Sequence, residues 1–304
     1  MTLRRLICIS FLASALLASG AAPALAYEWP ESLGPDQSGP AVKALQVRLA
    51  GWYPDEEQQL FAVDSIFGDQ TIAALERFQI HHGLPVDPVA GKAVFKRLNA
   101  LEDDDRSTLH FEWLEFWQNR NPNCSRKANR YAGTFDGGRV EAKVVKRNVR
   151  WMMWRLEALR AKLGDHPIAI NSGFRSVAYN ECIGGASLSQ HLYGTAADIK
   201  VLDVPNRAAR DSGKSSQFHG IACYSSLTHN HFDLRLQNKQ LREAQYWWWP
   251  QRDKLERDLA DDARPCYGEA KKRPAETRAS GATTSAVELA EWEHSHEPYL
   301  NGAD

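Results

Sequence analysis

Net charge is what this chain most plainly lacks, with 37 Lys and Arg against 38 Asp and Glu in 304 residues. A near-neutral protein has no overall field with which to gather nucleic acid, so any substrate must be recognised by a local site. Cys-x-x-Cys pairs are absent among the five cysteines, which argues against a cysteine zinc site. Nor does composition imply a disordered or a membrane protein, since 43% of residues are apolar and 25% charged, the ordinary globular balance. A chain of this length can hold two domains.

The first 26 residues read as a secretory signal. Arg4 and Arg5 form the charged start, Leu6 to Leu17 the apolar run, and Ala24-Leu25-Ala26 a small-x-small cleavage site before Tyr27. The run is short for a membrane span. Cys8 follows Ile7 without the small residue that a lipoprotein cleavage site needs, so no lipid anchor is expected. Removing the signal leaves Cys124, Cys182, Cys223 and Cys266, an even number in a chain outside the cytoplasm, and two disulfides are expected. Of three possible connectivities, the one expected here joins Cys124 to Cys182 and Cys223 to Cys266.

Between Gly39 and Leu98 helical periodicity comes in three pieces: Val42, Leu45 and Leu49; Ile72, Leu75 and Phe78; Val94 and Leu98. Gly51, Gly68, Gly83 and Gly91 punctuate them. Ala44-Leu45-Gln46 and Arg77-Phe78-Gln79 hint at an internal repeat. The segment resembles the type 1 peptidoglycan-binding domain, a three-helix module, through Gly39-x-x-Val42-x-x-Leu45-Gln46, Asp64-x-x-Phe67-Gly68-x-x-Thr71, Phe78-Gln79 and Gly83-Leu84-x-x-Asp87. Ser65 and Pro88 depart from it, each standing where that family usually has glycine. The acidic run Glu102 to Asp105 reads as a solvated linker. Phe111, Trp113, Phe116 and Trp117 then give more aromatics than a free linker carries, and packing between domains or into a core is expected of them.

Val140 to Leu163 is the strongest helix, with an apolar stripe and Gly164 as its stop. His166 to Ile170 reads as a buried strand leading into Asn171-Ser172-Gly173-Phe174-Arg175. The chemistry gathers in Ser189-Gln190-His191-Leu192-Tyr193-Gly194-Thr195-Ala196-Ala197-Asp198, where small residues let His191 and Asp198 converge. Thr228-His229-Asn230-His231-Phe232-Asp233 follows. In a strand His229 and His231 share a face, and either can supply a third ligand. An N/N/O set leaves zinc's fourth position open, the mark of a catalytic rather than a structural site.

Ser189-x-His191-x-x-Gly194-x-Ala196-x-Asp198 followed by His229-x-His231 is similar to the M15 family of zinc D-alanyl-D-alanine peptidases. The resemblance implies one Zn2+ per chain on His191, Asp198 and His231, and an arginine, here Arg175 in its Ser-Gly-Phe context, that binds substrate carboxylate or an oxyanion. Many members carry an acidic residue three positions before the last zinc histidine, where this chain has Thr228. His229 is therefore the expected general base, and Asp233 the expected partner that orients an imidazole. His294 and His296 lie in a polar tail without a convergent partner and are not expected to be ligands. Trp247 to Trp249 are expected to be buried.

The expected architecture is an α+β catalytic domain, mostly antiparallel sheet with packed helices and Hedgehog/DD-peptidase-like, over residues 107–267, preceded by a small all-α three-helix domain over 35–101 and followed by a flexible tail, 268–304. The expected function is a secreted, monomeric zinc DD-carboxypeptidase acting on peptidoglycan stem peptides in the periplasm or at the cell wall, without nucleic-acid binding or stable membrane insertion. A cross-link endopeptidase and an inactive wall-binding protein are the alternatives.

Overall fold

A computed structural model describes residues 27–53, 60–218, 220–224 and 229–234, with the backbone of 245–249. The expected signal segment, the tail from 268, Cys266 and so the Cys223–Cys266 pairing, His219 and Thr228 lie outside the described residues.

The N-terminal module is built from α1 (Pro40–Leu49), a 3-10 turn (Ala50–Trp52), α2 (Asp69–His81) and α3 (Lys92–Asn99). Pro40 starts α1 where its missing N–H costs nothing. The hinted repeat is structural. Gln46 of α1 donates through Nε2 to Asp64 Oδ1 (2.8 Å) and Ile66 O (2.9 Å), and accepts from Ser65 N (2.8 Å). Gln79 of α2 donates to Asp87 Oδ1 (3.3 Å) and Val89 O (3.4 Å), and accepts from Asp87 N (3.1 Å). Each buried amide thus holds an Asp-x-aliphatic loop that no helix could otherwise fix. In the first loop Ser65 sits at φ 69°, the left-handed region that favours glycine, which explains why the departure there is a strained one.

Two short helices, α4 (Trp113–Phe116) and α5 (Arg126–Asn129), lead to α6 (Ala142–Lys162). The C-terminal half continues with β1 (Ile168–Ser172), α7 (Val177–Cys182), a 3-10 turn (Gln190–Tyr193), β2 (Ala196–Val201), α8 (Asn206–Lys214), β3 (Gly220–Tyr224), β4 (Asn230–Asp233) and β5 (Gln245–Trp249). The sheet order is β1-β2-β4-β3-β5, antiparallel throughout except that β5 runs parallel to β3. The α+β architecture expected from sequence is therefore present, with the Trp247 to Trp249 run as an edge strand. A disulfide joins Cys124 to Cys182, the first of the two expected pairings.

The long helix corrects the single-stripe reading. Val145, Val149, Met152, Met153, Leu156 and Leu159 pack with Ala197, Ile199, Phe232 and Ile221 of the sheet. Trp154 and Ala158, on another side of α6, pack with Leu45, Leu49 and Phe78 of the module. Gly51 makes this docking possible, because a Cβ there would stand 2.6 Å from the Cβ of Ala158. Losing a buried aromatic such as Trp154 costs about 3–5 kcal/mol, so the interface is a core and not a loose contact.

The acidic run is corrected at its first residue alone, since Asp103, Asp104 and Asp105 are exposed as expected. The Glu102 side chain is shielded from water, paired with Arg48 of α1 (2.6 Å) and with Arg150 of α6. Two arginines from distant segments turn what reads as a solvated linker into a tie between the halves. Phe111, Trp113 and Phe116 enter the core beneath the sheet, with Trp117 partly buried against it.

Candidate metal centre

Strand register brings the site together. Ser172 of β1 pairs with Asp198 of β2, Asp198 with His231 of β4, and His231 with Ala222 of β3. Cross-strand partners share a face, so one row of the sheet presents Ser172, Asp198 and His231 side by side. Their sequence neighbours Ala197, Ile199 and Phe232 point the other way into the core. The next row pairs Ala196, Asp233 and Gly220. Small residues flank Asp233 on both sides, and a methyl at Gly220 would overlap its carboxylate.

His191 comes from the 3-10 turn that precedes β2. Gly194 ends this turn at φ 69°, and a Cβ there would come within 2.8 Å of Val145 O on α6, so conformation and space both call for glycine. His191 Nδ1 donates to Gly173 O (2.6 Å), which leaves Nε2 with its lone pair towards Asp198 Oδ1, 3.4 Å away. Gly173 must be glycine because α4 packs directly against it, with Phe116 Cα 2.6 Å from where a Cβ would stand.

His231 lies between two carboxylates, with Nδ1 2.8 Å from Asp198 Oδ1 and Nε2 3.3 Å from Asp233 Oδ2. Arg175 donates to Asp198 Oδ2 (2.7 Å) and to Ser172 Oγ (2.9 Å). The side chains of His191, Asp198 and His231 are buried, and one ligand atom from each lies within 4.8 Å of the others.

Burial and neighbouring charge divide the histidines. Burial, reinforced by Arg175, brings His191 down to about 4 despite Asp198. Burial works against charge on His231 too, but its bonds to Asp198 and Asp233 carry it up to about 9. Asp198 stays well below the usual carboxylate range; burial opposes this, and His191 and His231 outweigh it. His229, half-buried just before β4, is lowered by burial first, while Asp198 acts upward and His231 and Arg175 downward. Arg175, Asp198 and His231 therefore act on both His191 and His229.

The donor set fits zinc. Zinc bonds of about 2 Å at tetrahedral angles put ligand atoms roughly 3.3 Å apart, and the two imidazole-to-Asp198 separations are 3.4 and 2.8 Å. Both imidazoles also have a hydrogen-bond partner on their far nitrogen, as metal-ligating histidines do. Sequence reading missed Ser172, the Gly173 carbonyl and the Gly220 gap. Only extending β1 by two residues would have put Ser172 in the row.

Residues 127–233, which hold this constellation, match the Peptidase M15 family model. Residues 38–98 match that of a peptidoglycan binding domain. The chain is 42% identical over 173 residues to the zinc D-Ala-D-Ala carboxypeptidase of Streptomyces albus G, a stretch that covers 57% of this chain and 62% of that relative. The match therefore spans less than two thirds of the relative's length. The crystal structure of the SleB N-terminal domain is 35% identical over 23% of this chain and 93% of its own, with a TM-score of 0.21. Among the described residues no helix is long and apolar enough to cross a membrane.

Proposed function

We propose that this chain is a zinc D-alanyl-D-alanine carboxypeptidase that trims peptidoglycan stem peptides outside the cytoplasm. The convergence of His191, Asp198 and His231 beside Arg175, within a Peptidase M15 domain, carries this reading. Each chain holds a full ligand set, so a monomer suffices. We divide it at the connection after residue 101, with the wall-binding module before and the catalytic domain after.

In this reading His191 Nε2, the Asp198 carboxylate and His231 Nδ1 are the zinc ligands. Zinc, when bound, supplies Lewis acidity towards a carbonyl and towards water. The chain's own groups do the rest. Gly173 O fixes the tautomer of His191, and Asp233 holds His231 from its far nitrogen. Arg175 is a fixed cation at the edge of the site, suited to a terminal carboxylate or to charge developing on the scissile oxygen. His229, neutral at pH 7 because burial lowers it, can accept a proton from water and return it to the leaving amine.

Incubating the purified chain with a soluble peptide ending in D-alanyl-D-alanine, and separately with sacculi, tests the assignment. Release of free D-alanine that stops with a chelator and returns with zinc is expected. Cleavage of cross-links without D-alanine release would replace carboxypeptidase by endopeptidase, and wall binding without turnover would abandon the enzyme.

A further inference from the structure

The turn between α8 and β3 is gripped from three directions. From the module, Phe61 N donates to Gln217 Oε1 (2.9 Å) across 156 residues of sequence. From α6, Arg155 Nε donates to Gln217 O (3.2 Å). Lys162, at the end of the same helix, donates to Gly51 O of the module (2.7 Å) and also to Ser215 O in the turn. Gln217 itself is held at φ 60°, a backbone conformation that residues with a Cβ avoid unless their surroundings impose it.

This turn feeds the metal centre. Phe218 is fully buried with its ring 4.8 Å from that of Phe232, which stands between His231 and Asp233 in β4. Gly220, at the start of β3, is the floor against which the Asp233 carboxylate rests, and Asp233 reaches Nε2 of His231. A shift of β3 by a fraction of an ångström would close that gap or open it. The geometry points to Gln217 as a positioning residue through which the docked helical module sets the seat of Asp233, and hence the orientation of His231. The module would then be part of the catalytic unit, affecting small soluble substrates as well as walls. The inference rests on the reading of His231 as a zinc ligand.

The test uses the full-length chain with Gln217→Met, which keeps the length of the side chain and removes the acceptor for Phe61. Three readouts are compared with wild type: hydrogen exchange by segment, zinc retention against a competing chelator, and kcat and KM on the soluble peptide. Exchange is expected to quicken in 60–64 and in 229–234 but not in β1, zinc retention to weaken about tenfold, as for loss of an outer partner of a ligand, and kcat to fall with KM little changed. Faster exchange at 60–64 with unchanged zinc retention and kcat would overturn the coupling. So would faster exchange spread evenly over the whole sheet, which is general loosening. Should Gln217→Met fail to fold, Gly51→Ala loosens the same docking from the module side, acting on the turn only through α6, and the same outcomes decide. If wild type neither binds zinc nor releases D-alanine, the functional reading fails by itself. The exchange pattern then still decides the coupling, since quickening in both segments supports it and quickening in 60–64 alone removes it.

Discussion

Gln46 and Asp198 are both buried and both hold their surroundings through several hydrogen bonds, yet they do so by opposite means. Gln46 both gives and takes, donating to Asp64, Ile66 O and Thr71 and accepting from Ser65 N. Asp198 can only accept, and it faces Arg175, His231 and His191. A neutral amide clamp is complete in itself, whereas this carboxylate is balanced by the Arg175 guanidinium and by the proton between it and His231, whose place a metal ion would take. The module is built to keep one shape, and the centre to exchange one charge for another.

Replacing Asp198 by Asn should break the contrast most severely. The side chain keeps its shape and loses its charge, so zinc retention should vanish and kcat/KM on soluble peptide should fall by well over the roughly 100-fold that loss of an outer partner costs. Metal analysis beside the kinetics checks this, and full zinc with near-normal activity would show the ligand set to be wrong. Gln46→Met should act on the other side of the comparison, destabilising the chain by about 3 kcal/mol in urea unfolding because Ser65 N–H and its neighbours lose partners. Gln79→Met should cost less, since its bonds to Asp87 and Val89 are longer. An equal or larger cost at Gln79 would mean that the two clamps are not ranked by their geometry.

Ser65→Gly should stabilise by about 1 kcal/mol, because the left-handed backbone at that position no longer opposes a Cβ. A shift in urea midpoint at constant slope is the expected sign, and a loss of stability would mean that the seryl side chain holds the loop. The narrowest effect concerns pH. His82 is pulled down to about 4, by burial first and then by Arg97 and His81. The unfolded chain takes that proton near pH 6.5, so between 6.5 and about 4 it binds more protons than the folded one, and stability falls as pH falls through that window. His82→Gln should flatten this part of a Tm-against-pH curve and leave it unchanged above pH 7. His82 is only about half-buried, so the effect is small.

Much of the centre was legible because its chemistry is local. His191 and Asp198 lie seven residues apart, His229 and His231 alternate on one strand, and small residues announce the space they need. The family resemblance then ranked which histidine binds and which accepts a proton. What stayed hidden was set by partners far along the chain. Glu102 reads as solvated until Arg48 and Arg150 arrive from 54 and 48 residues away. Trp154 and Ala158 fall outside the stripe that faces the sheet, and periodicity finds one stripe per helix unless a second core is known. Gln217 is a polar residue after a helix, with nothing local to separate it from any other loop glutamine.

The eight consecutive residues Met152 to Leu159 of α6 are all buried, two full turns with no side open to water. A helix on the outside of a protein lets mutation drift along one edge, and comparison of relatives then shows conserved positions every three or four residues. Here that rhythm should be lost, replaced by an unbroken block in which even Arg155 and Glu157 resist change, because each is itself buried and has a polar partner in Gln217 or His110. The two domains cannot be shuffled like beads on a string, since the wall that one would leave behind already belongs to the other.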